Sequence, residues 1–132
     1  MTIPLNLART LKMKKHKVTE RNVDYFRKRV EHWVEVWGMH DWEIDVESGT
    51  TEIGNMAELE TNCTAKFARI VLAKIWFIPP TQAELDSTAH HEVLELLIDP
   101  LRKYYIQTDE TIAANHTIIQ RILNAFKRGK VK

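Results

Sequence analysis

The segment Ala89-His90-His91-Glu92-Val93-Leu94-Glu95 puts an imidazole and two carboxylates within one short stretch. On a helix, residues four apart stand one turn above each other on the same face. His91 and Glu95 are therefore placed to hold one ion between them, with Glu92 beside them, displaced around the helix. Zinc accepts an imidazole nitrogen and a carboxylate oxygen readily, and a catalytic zinc site keeps one position open for water. A carboxylate next to that water is the general base of metal-assisted hydrolysis, which makes Glu92 the candidate catalytic residue. The spacing itself is common in helices, and the same stripe also fits a plain water-facing edge.

Two protein ligands rarely hold zinc firmly, so a third is needed. His116 is the leading candidate, since it falls on the apolar face of the last expected helix, between Ile112 and Ile119. A neutral polar ring there wants a partner, and a core histidine bonded to a carboxylate or carbonyl is the competing reading. Glu110 is the alternative ligand; in the first turn of its helix it is also a good partner for the helix dipole. His90 points away from His91 on the helical wheel and Thr88 lies on the polar stripe, so His90 is assigned a supporting or structural role and Thr88 a supporting one.

The elements that must position these groups follow from periodicity. Asn22 is read as the N-cap of a first helix with an apolar stripe of Phe26, Val30, Trp33, Val34 and Trp37, closed by Gly38. Trp42, Ile44 and Val46 then alternate with acidic residues, as a half-buried strand does. Two more strands, from Ala57 and from Phe67, read as a hairpin turning near Asn62 to Lys66. Thr81 and Glu84 fit a capping box opening the helix that carries His91, which Pro100 ends or kinks, with a further turn or two beyond. Leu85, Ala89, Val93, Leu94, Leu96, Leu97 and Ile98 cover more than half of that helix's circumference, so several of its sides are buried. Asp109 is read as the cap of the last helix. The order is that of an α+β fold: N-terminal helix, three-stranded antiparallel sheet, site helix and C-terminal helix. Residues 20–127 are expected to form the domain, with a basic arm at 1–19 and a basic tail at 128–132.

Composition narrows the function classes. A chain of 132 residues, 44% hydrophobic, supports one ordinary core. Cys63 is the sole cysteine, which excludes a disulfide framework and a thiolate-rich zinc site. The net charge of +1 does not suggest a nucleic-acid binder. Arg9, Lys12, Lys14, Lys15 and Lys17 at the start, and Lys127, Arg128, Lys130 and Lys132 at the end, could nevertheless touch phosphates, although solvated tails are the simpler reading. No apolar run suits a membrane or a secretory signal, so a cytoplasmic location is expected. The few glycines form no phosphate loop, Ser87 and Thr88 lack a nucleophile elbow, and Trp33, Trp37, Trp42 and Trp76 fall on apolar faces.

His91-Glu92-Val93-Leu94-Glu95-Leu96-Leu97, ahead of Pro100-Leu101, resembles the active helix of zincin-type metallopeptidases. The similarity is to small phage and bacterial proteins distantly related to SprT-like domains, and it extends from about Asp24 to Phe126. It implies a zincin-like fold, Zn(2+) as cofactor, a peptide or protein substrate laid along a strand edge, and host cytoplasm for a phage-encoded chain. The usual motif has histidine where this chain has Glu95. An anionic ligand lowers the charge of the site and makes water at the ion less acidic. Three functions are therefore carried forward: a zinc-dependent peptidase, an inactive relative that binds a partner protein, and a nucleic-acid-associated protein using its basic ends.

Overall fold

The computed structural model describes residues 14–104 and 108–127, the backbone alone over 101–104. Arg9 and Lys12 of the first basic cluster, and Arg128, Lys130 and Lys132 of the second, lie outside the described residues. The elements are β1 (His16–Lys17), α1 (Glu20–Val36), β2 (Glu43–Gly49), β3 (Ala57–Asn62), β4 (Phe67–Ala73), β5 (Ile75–Trp76), α2 (Gln82–Tyr104) and α3 (Asp109–Lys127). The part of the N-terminal stretch that is described is thus not all arm. His16 and Lys17 pair antiparallel with Trp76 and Ile75.

Threonines start the helices. Thr19, not Asn22, is the N-cap of α1: its hydroxyl accepts from Asn22 N, while Asn22 Oδ1 accepts from Thr19 N, closing a reciprocal box. Thr108, not Asp109, does the same for α3 with Thr111. Thr81 accepts from Glu84 N at the start of α2. At the other end of α1, Gly38 takes φ +65°. Met39 N donates to Val34 O beyond it, the six-to-one bond of a Schellman stop.

The sheet differs from the expected antiparallel arrangement. Its order is β2-β4-β3, with β3 antiparallel to β4 but β2 parallel to it. The cause lies in composition. β4 (Phe67-Ala-Arg-Ile-Val-Leu-Ala) is the apolar strand of these three, with Ala68, Ile70 and Leu72 fully buried, so it takes the centre. The acidic strands Glu43-Ile-Asp-Val-Glu-Ser-Gly and Ala57-Glu-Leu-Glu-Thr-Asn fall to the edges, where charge suppresses further pairing. The loop over 50–56 is long enough to skip one strand position, roughly 10 Å across two inter-strand spacings.

One face of the sheet is covered by α1 and α2. Phe26, Val30 and Trp33 of α1 meet Ala68, Ile70 and Leu72 of β4 and Leu85, Ala89, Val93 and Leu96 of α2 in a common core. The helix α2 continues through Pro100 to Tyr104 as a single element. A smaller cluster of Leu94, Ile119 and Leu123 attaches α3 to α2. Among the described residues no helix is long and apolar enough to cross a membrane.

Candidate metal centre

The roll of α2 about its axis decides which residues face the cleft, and three polar ties set it. Asp86 Oδ1 accepts from Arg29 Nε at 2.7 Å and from Trp33 Nε1 at 2.8 Å, joining α2 to α1. Toward the other end, the buried Asp99 Oδ2 accepts from Thr61 Oγ1 at 3.0 Å and from Cys63 Sγ at 2.8 Å, joining α2 to the end of β3 and its turn. Between them His90 is 2% exposed, stacked on Trp33 with ring centroids 3.7 Å apart, and accepts at Nε2 from Trp37 Nε1 at 3.0 Å. Phe126 of α3 meets the same imidazole edge-on. Burial among aromatic rings pushes the His90 pKa down to about 4, although nearby Asp86 acts in the opposite sense. His90 is therefore a neutral core residue held by two tryptophans, the structural of the two roles open to it. Cys63 is half-buried, with its Sγ donating to Asp99 Oδ2.

With that roll fixed, His91 and Glu92 line a cleft of about 310 Å³, and Glu95 stands one turn beyond His91. Its walls are Met56 just before β3 and Ala57 at its start, Thr88, His91 and Glu92 of α2, and Gln120 of α3. Ligand atoms of His91, Glu92 and Glu95 all lie within 4.8 Å of one another. His91 Nε2 is 3.2 Å from Glu95 Oε1. Glu92 is buried, and the Glu95 side chain is 18% exposed.

His116 does come near this place. It shares the face of α3 that carries Ile119 and Leu123, three and seven residues on, but that face is less covered toward the start of the helix: the His116 side chain is 56% exposed, Ile112 is exposed too, and Ile119 and Leu123 are the buried residues of the helix. Its Nε2 stands 4.0 Å from Glu95 Oε1, and its ring centroid 6.1 Å from that of His91. Glu110 is exposed in the first turn of α3 and does not belong to the group of mutually close ligand atoms. Thr88, buried one turn before Glu92, shares the cleft wall with it, as the polar stripe implied.

The donor set fits a small divalent ion. Two ligands about 2.1 Å from one tetrahedral zinc stand roughly 3.4 Å apart. The 3.2 Å between His91 and Glu95 matches this spacing; the 4.0 Å between His116 and Glu95 is longer, and His116 is not in the group whose ligand atoms all lie within 4.8 Å of one another. A shared proton also satisfies the His91–Glu95 pair, so the distances are compatible with both occupants. Arg29 and Asp86 carried no signal in the sequence, because their pairing is made between helices far apart in the chain. No protein-family model, curated protein or solved structure matches this chain.

Proposed function

We propose that this chain is a zinc-dependent hydrolase of the zincin type acting on peptide bonds. The observation that carries it is the convergence of His91, Glu92 and Glu95 within 4.8 Å, with His91 and Glu92 lining a cleft that reaches Ala57 at the start of β3 and with His116 Nε2 4.0 Å from Glu95 Oε1 on another helix. His91, Glu95 and His116 would hold the ion. Bound zinc would polarise a peptide carbonyl and make water acidic enough to act near neutral pH.

The chain's own groups supply the remaining functions. Glu92, buried at the cleft wall, takes the proton of the attacking water and returns it to the leaving amine nitrogen. The Met56 O bond to Ala73 N sets the ladder parity, so the backbone groups of Ala57, Leu59 and Thr61 face away from β4. A substrate in extended form can add to that edge, which aligns its carbonyl with the cleft. Asp86 and Asp99 hold α2 at the roll that keeps His91, Glu92 and Glu95 on one side of the helix. Hydrolysis of denatured casein by zinc-loaded protein, read by mass spectrometry, tests the reading. A zinc-loaded protein that leaves casein and a diverse peptide mixture intact would limit the site to binding.

A further inference from the structure

The opposite edge of the sheet has its own groove. Glu43 N donates to Lys66 O, and Gly49 O accepts from Lys74 N. In a parallel pair this parity directs the backbone of Glu43, Asp45, Glu47 and Gly49 to β4, and that of Ile44, Val46 and Ser48 to the side on which, among the described residues, no strand pairs. A cavity of about 530 Å³ lies along this free edge, between β2 and α1. Its floor is apolar, made by Val30 and Val34 of α1 with Trp42, Ile44 and Val46. Its lips are acidic: Glu31 and Glu35 on the helix side, Asp45 and Glu47 on the strand side. Arg27 Nη2 reaches in and donates to Val46 O at 3.1 Å, so the side chain that occupies this edge already brings a cation to a strand carbonyl.

We propose that the free edge of β2 is a docking site for an extended, basic segment of a partner protein, which adds to the sheet as a further strand. Edge pairing supplies main-chain hydrogen bonds, and alternate side chains of the added strand enter the apolar floor or meet the lips. Charge chooses the occupant. A second copy of this chain would bring Glu43, Asp45 and Glu47 against their own counterparts, which disfavours self-pairing. A strand carrying lysine or arginine at alternate positions meets four carboxylates instead. This surface lies across β4 from the metal centre and does not depend on it.

The test uses the full-length protein and two short synthetic peptides, one alternating lysine with valine, the other glutamate with valine. Binding is followed by fluorescence anisotropy and by backbone amide spectra. The lysine peptide is expected to bind and to shift the amides of Ile44, Val46 and Ser48, with the glutamate peptide weaker by at least about tenfold. Val46→Pro removes an outward N–H that β4 does not use, a position where edge strands tolerate proline, and is expected to abolish binding. Should Val46→Pro not fold, Glu31→Lys with Glu35→Lys on the exposed side of α1 is expected to weaken the lysine peptide about tenfold or more. Arg27→Met is expected to tighten it by freeing Val46 O. Equal binding of both peptides, no binding at millimolar concentration, or shifts confined to Ala57, Leu59 and Thr61 would overturn the proposal. So would concentration-dependent dimerisation through the same amides.

Discussion

His116 and Glu95 lie on different helices, and the imidazole Nε2 of one stands 4.0 Å from the carboxylate Oε1 of the other. Glu95 already meets His91 within its own helix, so a single carboxylate is the point at which α2 and α3 converge. An ion at that point would join the two helices. Elsewhere α3 is attached by Ile119 and Leu123, its buried residues, and by Phe126 against Trp33 and His90.

His116→Ala should therefore weaken zinc binding by about tenfold or more, while His91→Ala removes it. Because the His116 side chain is half-exposed and packs little, its replacement should leave unfolding by urea in the presence of EDTA within about 0.5 kcal/mol of wild type. Calorimetric zinc titration of the two variants checks the first part. An unchanged affinity in His116→Ala would move the third ligand elsewhere.

Glu92→Gln keeps the shape of the cleft wall and removes the proton acceptor. Zinc content is expected to stay as in wild type, and peptide hydrolysis to fall by roughly 10²–10⁴-fold, the usual weight of a general base. Initial rates on any peptide cut by the wild-type chain measure this. Activity retained in Glu92→Gln would assign the proton transfer to another group.

The buried His90 makes stability depend on pH. Its folded pKa, about 4, lies below the 6.5 of an exposed histidine. Between these values the unfolded chain binds a proton that the folded chain refuses, so stability is full above about pH 6.5 and falls as pH drops toward 4. The loss attributable to His90 is on the order of 3 kcal/mol across that window. Urea unfolding at pH 7.5 and 4.5, with EDTA present, should show this difference in wild type and a smaller one in His90→Phe. Equal differences in the two proteins would remove His90 as the cause.

What the sequence made legible was local. The apolar stripe of α1, the alternation around Ile44 and Val46, the hairpin and the site helix all rest on periods within one element. Gly38 was readable because a left-handed stop needs a residue without Cβ. The caps were displaced by one turn or one residue because Thr19 and Asn22 are both capping types, as are Thr108 and Asp109. Only the reciprocal bond shows which residue precedes the helix. The parallel pairing of β2 was not legible, since it is decided by competition for the central position, which Ile70 and Leu72 win for β4. In the candidate site, His91, Glu92 and Glu95 share one face by helical geometry alone. The closeness of His116 depends also on how α3 returns over α2; its spacing from Ile119 and Leu123 put it on their face but did not show that this part of the face stays half-exposed. Arg29, Trp33 and Asp86, which set the roll of the site helix, are joined by contacts between distant parts of the chain.

The central claim is that His91, Glu95 and His116 form a metal site, and zinc stoichiometry tests it most directly. Protein purified without chelator, stripped, reloaded with zinc and passed through a desalting column should carry about one zinc per chain by elemental analysis. The His91→Ala, Glu95→Ala double variant should carry none. A wild-type chain that retains no zinc after reloading, or a double variant that retains as much as wild type, would contradict it.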